Sequence, residues 1–212
     1  MTFFRTHSYI NFDYLMYNEC LPRVDQVEDL GFTLVPSLSF SIHVEHINCK
    51  ALRTLGFIRR NASNFDQANC LVTLYTSLVR SILEYGSVLW SPYTQKDIQR
   101  IEKVQNRFFA FAGYVLKITH PPHDYSSVSK FLNLSNLEIR RNMLDIRFLN
   151  NLVLGKTDAS SLLERVKFHI PRNGSRSKIM FEISTRRTNY LCNDPIQRIM
   201  TKINLDTRLL EF

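Results

Sequence analysis

The chain is dominated by two consecutive helical patterns. Leu71, Leu74, Tyr75, Leu78, Val79, Ile82 and Leu83 follow the i, i+3, i+4, i+7 stripe of an amphipathic helix with one buried side. The next pattern starts at Thr94 as cap and runs over about Gln95–Val115. It sets Lys96, Arg100, Lys103 and Arg107 within roughly a sixth of the helix circumference at 3.6 residues per turn. Ile98, Ile101, Val104, Phe108 and Ala112 face away from that stripe. Asp97 and Glu102 lie off it and are expected to leave it unneutralised. A buried face opposite a cationic ladder constrains the fold to packed helices. It also suits a surface that holds a phosphate backbone, against the plainer reading of a solvated face.

The remaining patterns agree with a mainly α protein, a helical bundle preceded by a small β-hairpin. Only six Gly and seven Pro in 212 residues favour helices over a turn-rich β fold. Tyr9–Tyr17 and Val27–Val35 read as extended runs, with the connection starting at Asn18-Glu19 and a bulge or close backbone approach at Gly31. Ser39 or Ser41 is positioned to cap a helix reaching about Arg60, with Ile47, Ala51, Leu55 and Ile58 as its stripe. Asp66 is the expected cap of the Leu71 helix, and Gly86 its end or bend. Paired prolines break the chain at 118–122. A short helix around Ser126–Leu132 follows, then one from Asn136 to Leu154 stopped by Gly155. Residues 165–187 carry seven Lys/Arg and one Glu and read as a basic loop or loose hairpin. Asp194 and Pro195 open a short C-terminal helix. The spacing therefore divides the chain into a β element (1–37), a helical domain (38–118) and a helical extension with a basic arm (119–212).

Charge sharpens the functional reading. The net charge is +8, and it is uneven: −3 over residues 1–40, +5 over 41–118 and +6 over 119–212. Cationic character begins where the helices begin, which points to a polyanion partner, chiefly nucleic acid. Arg59 and Arg60 end the first helix and join the candidate surface, although cations also favour helix C-termini through the dipole. Arg172, Arg176 and Lys178 are the candidates in the basic arm. The four cysteines are scattered without a CxxC pair, as in a reducing compartment. No signal-peptide core and no membrane-length apolar run occur, so an intracellular site, nucleus or cytoplasm, is expected.

Candidate chemistry is sparse. His43, His46 and Cys49 share a helical face with zinc-type donors, but a fourth ligand is missing, and surface or boundary positions are the expectation. His120 and His123 read as loop residues. Tyr85, Trp90 and Tyr93 are expected to pack on a neighbouring helix rather than to stack on bases. No Asp-Asp pair exists anywhere. The paired carboxylates of two-metal catalysis are therefore absent, and no independent enzyme is expected.

SLVRSILEYGSVLWSP (77–92) resembles the segment downstream of the polymerase active site in jockey-like non-long-terminal-repeat retrotransposon reverse transcriptases. KALRTLGFIRR (50–60) and the helix with Ile101, Glu102, Val104, Gln105, Arg107 and Phe108 are similar to the same family. So are Arg140, Arg141, Asp145, Phe148 and Leu149, the Phe168–Phe181 stretch and TNYLCNDPIQRIMTKIN (188–204). Leu30-Gly31 in VEDLGFTL resembles the Leu-Gly of the family's primer-grip hairpin. The resemblance implies a helical thumb and a C-terminal extension that grip a template–primer, whether RNA, DNA or their hybrid. It implies no cofactor in this fragment, whereas the parent polymerase would need Mg2+. Palm and fingers, the implied partners, are missing from the sequence. Alternatives are a transposon remnant without function and a helical protein–protein interaction module. Leu78→Ala is expected to cost about 2–5 kcal/mol if the stripe is core.

Overall fold

The computed structural model describes Met1 and residues 12–65, 67–170, 179–185 and 189–205, the side chains of Asn189 and Tyr190 excepted. It is mainly helical, with small antiparallel β elements at the N-terminal side. Two hairpins come first. β1 (Leu15–Met16) pairs with β2 (Glu19–Cys20), and β3 (Val27–Asp29) pairs with β4 (Phe32–Leu34). Among the described residues the two extended runs, with Asn18-Glu19 expected to begin the connection between them, do not pair with each other. Instead, Tyr17-Asn18 and Leu30-Gly31 each form a two-residue loop with both φ angles positive, the pattern of a type I′ turn whose twist matches that of its strands. Gly31 is thus a turn residue rather than a bulge.

α1 (Ser41–Asn61) buries His43, Val44, Ala51, Leu55 and Ile58, while Ile47 is only half-buried. Phe40 holds its cap position without a side-chain bond, and Ser39 Oγ accepts the Ser41 N–H at 3.4 Å. The expected cap Asp66 lies outside the described residues. α2 (Ala68–Leu74) runs into a π-helical stretch over Tyr75–Arg80 and then α3 (Ser81–Glu84). Leu71, Tyr75, Val79 and Leu83 are fully buried, each four residues from the last. Such a series drifts round a regular helix by about 40° per step; the wider π turn offsets that drift. Leu78 is consequently 41% exposed, which corrects its place in the expected stripe. Ser77 Oγ donates to the Thr73 carbonyl and Ser81 Oγ to the Ser77 carbonyl, serving acceptors in the loosened ladder.

Gly86 is left-handed at φ +58° and turns the chain into α4 (Ser87–Trp90). α5 (Gln95–Val115) starts at Thr94, whose Oγ1 accepts the Asp97 N–H as expected. Then follow α6 (Ser126–Leu132) and α7 (Leu137–Val153), the latter capped by Asn136 Oδ1 on the Ile139 N–H. α8 (Ser160–Leu163), α9 (Asn189–Cys192) and α10 (Pro195–Leu205) complete the order.

The described residues form two apolar cores. The first joins α1, α2, the π stretch, α3 to α6 and Leu137, with the Tyr75 and Phe108 rings stacked at 4.1 Å. Gln105 bridges it internally, accepting from Tyr75 Oη and donating to the Ser135 carbonyl. Burial in this setting pushes the Tyr75 phenol far above its ordinary pKa. The second core joins the later part of α7, Val166, Phe181 and α10. Its polar centre is Asp145, fully buried and paired with Arg198 at 3.2 Å and Lys202 at 3.0 Å.

Candidate nucleic-acid interface

The cationic face of α5 is set by its own amphipathicity. Ile101, Val104, Phe108 and Ala112 are fully buried, and the opposite side carries Lys96, Lys103 and Arg107, all exposed. None of these three makes an ion pair among the described residues. Arg100 differs. It lies 3.7 Å from Asp97 on its own helix and 3.9 Å from Glu45 on α1. Asp97 is also held in place: its Oδ2 accepts from Ser41 Oγ and Thr94 Oγ1, both at 2.8 Å. The expectation that Asp97 leaves the stripe unneutralised is therefore corrected. The free ladder is Lys96, Lys103 and Arg107, with Arg100 tied at its edge.

Glu102 also acts inside the protein. Its carboxylate accepts the Leu137 and Glu138 N–H groups at the start of α7. Burial raises its pKa, against the lowering effect of those N–H bonds and of Arg141 nearby. Arg141 is almost fully buried, 3.6 Å from Glu102, and desolvation lowers its pKa. Arg140 forms a two-point contact with Glu84, which also lies 3.9 Å from Arg80. These buried or half-buried charges brace α3, α5 and α7 and present little to a ligand. The sequence pattern marked Arg140, Arg141 and Asp145 but carried no signal of their partners.

Arg59 and Arg60 are exposed in the last turn of α1. Arg172, Arg176 and Lys178 lie outside the described residues. The base of their arm pairs antiparallel at Phe168 and Phe181, with the His169 N–H donating to the Met180 carbonyl. Asn204 clamps that base, accepting from the Met180 and Phe181 N–H groups and donating to the Phe181 carbonyl.

Leu30 and Gly31 form the tip of the second hairpin, with Leu30 78% exposed. Tyr85 fastens this tip: its Oη donates to the Leu30 carbonyl at 3.2 Å and its ring stacks on Phe32 at 5.4 Å. Trp90 is buried, and its Nε1 donates to the Tyr85 carbonyl. Tyr93 is half exposed. Of the zinc-type donors, His43 is buried rather than at the surface or boundary. Its Nδ1 accepts the Thr33 N–H at 3.3 Å, and His46 Nδ1 meets Thr33 Oγ1 at 3.1 Å. These contacts pin the hairpin to α1. Cys49 is exposed, and no group of three or more metal-type donors occurs among the described residues. No helix among them is long and apolar enough to cross a membrane.

Comparison of the chain with family models, curated proteins and solved structures finds no match.

Proposed function

We propose that this chain is a nucleic-acid backbone-binding module, the thumb-like and C-terminal part of a non-long-terminal-repeat reverse transcriptase without its catalytic aspartates. The observation that carries this reading is the row of exposed cations Lys96, Lys103 and Arg107 on a helix whose other face is core. The mainly helical fold and the resemblance of residues 77–92 support it. Phosphates are the natural partners of such a row, because point charges on flexible stems attract a backbone without reading bases. Leu30 and Gly31 take the primer-grip role in this reading, as an exposed tip held by Tyr85. The reading assigns no catalytic step to the chain and places it in the nucleus or cytoplasm.

Fluorescence anisotropy with a labelled RNA–DNA hybrid over a salt series tests it. Three phosphate contacts predict a slope of log K against log salt of about −2 to −3. The variant Lys96→Glu, Lys103→Glu, Arg107→Glu is expected to abolish binding with helicity unchanged by circular dichroism. A flat salt response, or unchanged affinity in that variant, overturns the proposal.

A second reading, a protein–protein module, rests on residues 12–26, every one of which is exposed, including Phe12, Tyr14, Leu15, Met16 and Tyr17. Self-association that persists at high salt would favour it.

A further inference from the structure

Between the two cores lies a cavity of about 840 Å³. Its walls come from β4 and the segment leading into α1, from α4 through Thr94, and from α7 and the start of α10. Phe32, Phe40, Trp90, Tyr93 and Phe148 give it aromatic sides. The volume falls in the range of roughly 300–1,000 Å³ that holds drug-sized ligands.

We infer that this cavity binds an uncharged, predominantly apolar small organic molecule. The charges at its edge decide the class. Arg165 is paired with Asp194 at 2.7 Å. Arg198 is committed to Asp145 and to the Val88 carbonyl at 2.7 Å. Asp97 already accepts two hydroxyl hydrogen bonds and lies beside Arg100. A charged ligand would have to break one of these pairs or enter without a counter-charge, at a desolvation cost. A neutral one leaves them intact and gains aromatic contact. Ser39 and Ser91 are uncharged polar residues of the same wall and suit a single hydroxyl or carbonyl on the ligand. The site is separate from the exposed face of Lys96, Lys103 and Arg107, so it stands whether or not the chain binds nucleic acid.

Trp90, the only tryptophan, lines the cavity and reports on it. The test titrates the full chain with N-phenylnaphthylamine, an uncharged apolar fluorophore, and follows energy transfer from Trp90. Its charged counterpart, anilinonaphthalene sulfonate, is titrated in parallel. Ser39→Phe and Ser37→Phe add a ring to the loop that walls the cavity, and circular dichroism checks that each variant is folded. Saturable transfer to the neutral probe is expected, weaker by about tenfold or more in a folded filled variant, in keeping with the space a buried phenyl ring occupies. The sulfonate is expected to bind at least about tenfold more weakly than the neutral probe. Absence of saturable transfer, equal affinity for both probes, or unchanged neutral-probe affinity in both filled variants overturns the inference.

Discussion

The two hairpins share a design and differ in everything around it. Each has short strands joined by two residues at positive φ. Yet β1–β2 sits within an exposed run, while β3–β4 buries Thr33 and is held from three directions. His43 Nδ1 accepts the Thr33 N–H, Tyr85 Oη donates to the Leu30 carbonyl, and the Phe32 ring packs over Gly86. Local turn geometry thus builds a hairpin but does not place it. Placement comes from a few side chains elsewhere in the chain, and an isolated two-stranded hairpin has little stability of its own.

The anchored hairpin is most sensitive at Gly86. A Cβ there would lie 2.3 Å from Phe32 Cζ, on a backbone already at φ +58°. Gly86→Ala is expected to cost about 2–5 kcal/mol, from left-handed strain together with overpacking, read as a lower urea midpoint. A loss within experimental error would mean that the ring is free to move aside. Next in size, Phe32→Ala should cost about 1.5–3 kcal/mol. The matched change Tyr17→Ala, at a position 95% exposed, should stay within about 0.5 kcal/mol. Equal losses in the two variants would erase the distinction between the hairpins.

Acid sharpens it further. Burial, and then the neighbouring His46, lower the His43 pKa from its ordinary 6.5, with Glu28 opposing. The unfolded chain therefore binds this proton more readily than the folded one. The His43 contribution is fully present above pH 6.5 and is lost as pH falls towards the depressed folded value. His43→Asn, which can keep an acceptor for the Thr33 N–H, should flatten that part of a stability–pH profile. An unchanged slope would assign the acid sensitivity to other groups. Among the changes to the anchored hairpin, a small one is Tyr85→Phe, which deletes one partly exposed hydrogen bond for about 0.5–1 kcal/mol. Faster amide exchange at Phe32–Leu34, with the core unaffected, is the signature to seek.

Much of this fold is legible in the sequence, and what is not has physical reasons. Helix positions in α1 and α5 follow from apolar periodicity, α7 from its long apolar run, and the cap Thr94 from local chemistry, whereas the Asn136 cap emerges only in the structure. The turn at Leu30-Gly31 is harder to read, because leucine seldom adopts positive φ and the usual Asn-Gly signal is absent. The burial of His43, Arg141 and Asp145 depends on partners outside their own helices, from 10 residues away for His43 with Thr33 to 53 for Asp145 with Arg198, which spacing alone does not reveal. The candidate surface shows the same limit. The ladder on α5 is visible as a pattern, but the loss of Arg100 to Glu45 requires α1 to be in place beside it. The cavity between the cores has no sequence signal, since its walls come from segments far apart in the chain.

The π stretch has a consequence for chain length. Its buried residues are spaced four, four and four: Leu71, Tyr75, Val79, Leu83. Deleting the exposed Ser77 would change the spacing to four, three and four, the repeat of an ordinary amphipathic helix. The stretch therefore holds one residue more than its contacts require. A one-residue deletion inside a core helix normally throws every following side chain out of register; here the same deletion would relax the wide turn and return both ends to their places. The π stretch is thus a point in the first core where the chain is expected to shorten by one residue and keep its packing.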